Sequence, residues 1–180
     1  MATAMVKSAI LNPERLKRIS QAKCDCISNW KEGASLERDS RKRIDKLVCC
    51  ASADRWRLAY AMRKQANKLL GSAPAQFRSA VSRYYYSMYH AFRACAFIYH
   101  KGDDFEGHSA LPLNLPSDFD PGINWQNKLK NARLLRNRAD YEAYPKSDKA
   151  WRKHALAIKI DADELILKTR SYLKGKGCPL

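Results

Sequence analysis

Apolar residues return every three or four positions along most of this chain, and almost nowhere do they alternate as a strand requires. The longest such run is FRSAVSRYYYSMYHAFRACAFIYHKG, where Phe77, Val81, Tyr85, Met88, Phe92, Cys95 and Tyr99 form one stripe. That spacing predicts a core helix. Upstream, the pattern predicts helices over residues 13–30 and 35–48, separated by KEGAS. Leu16, Ile19, Ile27 and Trp30 mark the apolar side of the first, and Ile44, Leu47 and Val48 that of the second. Asp54 reads as the N-cap of a further helix that stops at Gly71.

Between Lys101 and Gly122 the periodicity collapses. Pro112, Pro116 and Pro121, with Gly102, Gly107 and Gly122, forbid a continuous helix there. A long loop with at most one short turn is expected, and loops of that length often carry function. Ile123 then opens a helix with Trp125, Leu129, Ala132, Leu135 and Ala139 facing inward. After AYPKSD, Ser147 can cap a last helix whose stripe is Trp151, Ala155, Ile158, Ala162, Leu165, Thr169 and Tyr172. The expected architecture is all-α: an up-and-down four-helix bundle over residues 54–173, behind a basic helical N-terminal extension over 1–53, with residues 174–180 a frayed tail.

Charge changes this picture. The chain of 180 residues carries a formal net charge of +16, spread along its length and not gathered in a tail. Such a body favours polyanions, nucleic acid first, through its field and counterion release. No apolar run is long enough to span a bilayer and the N-terminus makes a poor signal peptide, so the expectation is a cytoplasmic protein without membrane association. Six cysteines invite a metal reading, with Cys24, Cys26, Cys49 and Cys50 as possible thiolates. Neither pair has the two-residue separation of a zinc knuckle, and Cys95 sits on an apolar face. Free thiols, with no metal and no cofactor, are expected.

One stretch resists a purely structural account: LLRNRADYEAYP, residues 134–145. At about 100° per residue, Arg136 falls about 40° from the centre of its helix's apolar arc, with Asp140 just beyond. One reading is a salt bridge that closes the helix, with Tyr141 and Tyr144 covering the bundle end and Pro145 stopping it. The other is a small active site. Cleavage of RNA by its own 2′-hydroxyl needs a base, an acid and a cation for the crowded phosphate, and no metal. Arg136 supplies the cation, Asp140 or His90 the base, and Tyr141 a proton or hydrogen bond. Arg83, Ser87 and His90 share one face of the preceding helix, and His108 stands in the GHSAL loop where ligand contacts concentrate.

The motifs SAVSRYYYSMYHAFRA, GHSAL and LLRNRADYEAYPKSDKA, in that order, resemble those of the HEPN superfamily, in particular small stand-alone members with an Arg…Ala-Asp-Tyr signature. The resemblance spans residues 54–173. It implies a four-helix bundle that pairs into a homodimer around third-helix arginines. It also implies a metal-independent endoribonuclease acting as a toxin or anti-phage component, often beside a nucleotidyltransferase-type antitoxin. Arg136 and Asn137 fit the start of the family's active motif, whereas Tyr141 stands where its histidine would be. The site residues expected are Arg136, Asp140, Tyr141 and His90 for catalysis, and Asn137, Arg133, Arg83 and His108 for RNA contacts. A non-catalytic module that binds RNA or nucleotide, or that partners a nucleotidyltransferase or larger effector, is the alternative.

Overall fold

The computed structural model describes residues 13–120 and 124–180. Every regular element among them is helical: α1 (Pro13–Ser20), α2 (Cys24–Ser40), α3 (Ile44–Leu70), α4 (Phe77–His100), α5 (Trp125–Tyr141) and α6 (Arg152–Gly175), with 3-10 turns at Leu111–Leu113 and Asp148–Trp151. The chain divides into two compact units, residues 1–44 and 45–180.

In the first unit the expected break at KEGAS is absent, because Lys31 to Ser35 lie inside α2. A single glycine there costs about 1 kcal/mol, which a seventeen-residue helix tolerates. The interruption falls earlier, between Ser20 and Cys24. Ile19, Ile27 and Trp30, expected to face inward, are exposed. Arg41 ends α2 in the left-handed conformation, and Glu37 accepts a hydrogen bond from the Ile44 amide at 2.6 Å.

In the second unit α4 is the axle. Val81, Tyr85, Met88, Phe92 and Cys95 of its predicted stripe are buried, while Tyr99 at its far end is exposed. Helix α4 packs extensively against α5 and α6, which barely touch one another. Ala59 and Ala66 of α3 enter the same core, and Trp56 donates from its indole to the Ile166 carbonyl at 3.2 Å. Helix α5 buries Trp125, Leu129, Ala132 and Ala139 as expected, and Asn124 caps it by accepting from the Asn127 amide. The expected start at Ile123 lies outside the described residues.

Two expected boundaries move. Helix α3 runs straight through Asp54, which pairs instead with Arg57 one turn later, at 2.6 Å. No glycine or proline interrupts residues 44–70, and Cys49, Ser52 and Ala53 are buried ahead of the supposed cap. The C-terminal residues do not fray either. Gly177 is left-handed (φ 78°), the Cys178 amide bonds back to the Leu173 carbonyl, and the Gly177 amide bonds to that of Lys174. This is a Schellman closure, and its apolar contact is present: Cys178 and Leu173 share a buried cluster with Cys49, Ala94 and Ile98.

The loop from residue 101 to 120 is strapped down by charge. Asp103 accepts from both Arg55 and Arg93, and Glu106 also pairs with Arg93. Asp118 takes Lys176 at 2.7 Å and the Tyr172 hydroxyl at 2.8 Å. Near the other end of α4, Asp148 accepts from the Phe77 and Arg78 amides at 2.7 and 2.9 Å, capping the helix from the connector between α5 and α6. Arg78 returns the tie by donating to the Glu142 carbonyl, which holds the end of α5 beside the start of α4.

Removing that cap is expected to be costly. Asp148→Ala should lower unfolding stability by about 1–2 kcal/mol, the value of a two-amide carboxylate cap. Urea denaturation of the variant beside wild type reads it directly, and an unmoved midpoint would show the cap to be ornamental.

Candidate functional site

The α4–α5 seam brings Arg136 against the polar edge of α4. Its Nε lies 2.7 Å from Asp140 Oδ2, an ion pair whose N–H is not aligned as a hydrogen bond. One terminal nitrogen donates to the Tyr86 hydroxyl at 2.6 Å and the other to Asn137 Oδ1 at 3.1 Å. The Tyr86 and Tyr141 rings lie 5.2 and 5.1 Å from the guanidinium carbon, within cation–π range. Ser82 donates to the same Asp140 oxygen at 3.2 Å. Burial works against the arginine's charge, but Asp140, then Tyr86 and Tyr141, outweigh it and hold its pKa above the ordinary value.

This network borders an open groove of about 430 Å³ lined by Ser79, Ser82, Arg83, Tyr86, Arg136 and Asp140. A neighbouring groove of 400 Å³ runs along the other flank of α5, lined by Ser109, Pro112, Lys130, Arg133, Leu134 and Asn137. Arg136 is therefore engaged within its own chain, and its charge is matched by Asp140. Among the described residues, the cations of the two grooves that pair with no carboxylate are Arg83, Lys130 and Arg133. Arg83 is exposed and reaches only the Met62 sulfur, at 3.9 Å.

The histidines sit elsewhere. His90 is packed edge-on to Tyr89 and parallel to Tyr86, and lines neither groove. Burial, then the charges of Arg93, His108 and Arg55, depress its pKa to about 4. Among the described residues it makes no hydrogen bond or ion pair with Asp140 or Arg136, and so low a pKa leaves it a weak base. His108 is nearer, with Nδ1 2.6 Å from the Tyr85 hydroxyl and its ring against Tyr89. Burial first, then Arg133 and Arg136, lower its pKa. Ser87, expected on an accessible face with Arg83 and His90, is wholly buried and its hydroxyl has no partner. Tyr84 and Ala91, one turn to either side of it on α4, are buried too, so that position faces the core.

Tyr141 and Tyr144 do not cover a bundle end. They are 75% and 67% exposed, although Arg136 sits over one face of the Tyr141 ring and Lys146 lies 5.6 Å from the centre of the Tyr144 ring. The residues that sequence reasoning missed are Tyr86 and Ser82. Their signal was present: Ser82, Tyr86 and His90 recur at intervals of four in SRYYYSMYH, a second polar edge beside the apolar stripe.

Among the described residues, no group of three or more histidine, cysteine or acidic side chains is gathered where it could hold a metal ion. No described helix is long and apolar enough to cross a membrane. Set beside family models, curated proteins and solved structures, the chain matches none of them.

The depressed pKa of His90 has a measurable consequence. An unfolded-state histidine titrates at about 6.5, so the unfolded chain takes up a proton that the folded one refuses. The neutral ring's contribution to stability is thus complete above pH about 6.5 and is lost progressively as pH falls toward about 4. An NMR titration should find the His90 imidazole, the resonance absent from His90→Gln, still neutral at pH 5.5 in wild type. That resonance titrating near the free value would contradict this placement.

Proposed function

We propose that this chain is an RNA-directed helical protein of HEPN type, in which α3 to α6 form the up-and-down four-helix bundle and the grooves flanking Arg136 hold a single RNA strand. The observation that carries the reading is the pairing of unmatched cations with exposed aromatic rings. Among the described residues Arg83 and Arg133 stand without acidic partners beside the Arg136–Asp140–Tyr86 network, while Tyr141 and Tyr144 are largely exposed. Cations that follow a backbone and rings that stack bases are the two requirements of single-strand binding. A body at +16 supplies the long-range attraction. Arg136, already neutralised by Asp140, shapes the groove and offers its remaining N–H donors.

A second reading adds cleavage, and the Asp140 carboxylate favours it because it opens into the same groove as the guanidinium. Asp140 would accept the 2′-hydroxyl proton as that oxygen attacks phosphorus. The 5′-oxygen would leave with a proton from Tyr141 or water, giving a 2′,3′-cyclic phosphate and a free 5′-hydroxyl. Arg136 would compensate the phosphate charge. This reading carries the toxin or anti-phage role, a homodimer around the α5 arginines and a nucleotidyltransferase-type antitoxin as partner. The binding-only reading needs no turnover and suits a module serving a larger effector.

Affinity for a labelled single-stranded RNA, measured across a salt series, tests the first reading. Arg83→Ala and Arg133→Ala should each weaken binding several-fold and flatten the salt slope by about 0.7 per lost phosphate contact. Slopes identical to wild type would remove these grooves from the RNA path. Incubation of RNA with wild type and Arg136→Ala in chelator, alongside growth of induced cells, separates the two readings. Cleavage that vanishes in the variant, and in a 2′-deoxy substrate, supports the enzyme; intact RNA and unimpaired growth in both rule it out and leave binding standing.

A further inference from the structure

The Arg136 groove has a neighbour. Ser79 and Arg83 also line a second, larger groove of 560 Å³ between the end of α3 and the start of α4, so the two lie side by side across these residues. Beyond that shared wall the chemistry changes. Leu69 gives an apolar floor, Gln65 and Gln76 contribute neutral amides, and the cations retreat to the rim as Lys68 and Arg83. Gln76 occupies the N-cap position of α4 but makes no capping bond with its side chain, which leaves its amide uncommitted. Asp148 already holds the Phe77 and Arg78 amides, so the helix terminus offers nothing to an anion.

A phosphate wants donors and charge. A flat heterocycle wants an apolar face against its ring and groups that can both donate and accept at its edge, which is what Leu69 with two glutamine amides supplies. We infer that the α3–α4 groove is a nucleobase subsite, receiving the base next to the phosphate held at Arg83, with Gln65 and Gln76 reading its edge. The inference rests on the RNA-directed reading of the adjoining groove. It makes that site selective for position along the strand, where backbone contacts alone would be indifferent to it.

The test is an abasic scan. A short labelled single-stranded RNA is compared with versions in which each nucleotide in turn is replaced by an abasic spacer, which keeps the phosphates and removes one base. Wild type should lose affinity by about tenfold at one position, the size expected from one or two neutral hydrogen bonds with some burial. The Gln65→Ala/Gln76→Ala variant, altered only at exposed side chains, should bind the intact RNA less tightly and lose most of that positional difference. RNA bound with no abasic position standing out overturns the subsite and leaves the Arg136 groove as a backbone site. No binding of any oligonucleotide overturns both.

Discussion

The hydroxyls of Tyr84, Tyr85, Tyr86 and Tyr89 set the terms for everything around α4. A helix that is packed on nearly every side cannot leave a phenol without a partner, because a stranded buried donor costs about 1–3 kcal/mol. At about 100° per residue, successive tyrosines point to successive neighbours. Tyr84 donates to Asn67 of α3, Tyr85 meets His108 of the long loop, Tyr86 accepts from Arg136 of α5, and Tyr89 donates to the Glu106 carbonyl. Burial is the first cause of the raised pKa values of Tyr84, Tyr85 and Tyr89, so each remains a neutral phenol. The run YYY is thus a set of fixed addresses for three different elements.

The candidate site follows from one of those addresses. Tyr86 draws the Arg136 side chain toward α4, Asp140 one turn on matches its charge, and Ser82 one turn back on α4 meets Asp140. The Arg78 and Asp148 ties keep the end of α5 from drifting away. An arginine so restrained gives up electrostatic reach in exchange for position. The reach passes to Arg83 and Arg133, which lack acidic partners among the described residues, and this division between a neutralised cation and unpaired ones underlies the RNA-directed reading.

Periodicity made the helical class, the α4 stripe and the α5 and α6 stripes legible, because burial repeats with the helix turn. It failed where one residue type serves two ends. Asp54 is as good an i,i+3 partner for Arg57 as it is an N-cap, and only burial of Cys49, Ser52 and Ala53 shows that α3 has already begun. Gly33 looks like punctuation and is absorbed into α2, whereas Gly177, in a tail that seemed dispensable, is the residue that closes α6. In the site, the side of α5 that bears Arg136 was readable from its wheel position. So was its salt bridge to Asp140. Its partner on α4 was not, since Tyr86 and His90 share a polar edge and only packing decides that the phenol, and not the imidazole, meets the guanidinium.

The cysteines differ by environment. Cys24 and Cys26 are exposed in α2 and Cys50 is half-buried in α3, while Cys49, Cys95 and Cys178 are buried, with burial pushing the Cys178 thiol up to about 12 and Cys95 further still. Since only a thiolate attacks an electrophile readily, a maleimide dye applied briefly at neutral pH would mark the N-terminal unit first and spare the core. The native chain therefore carries its own spectroscopic handle, with no engineered cysteine required.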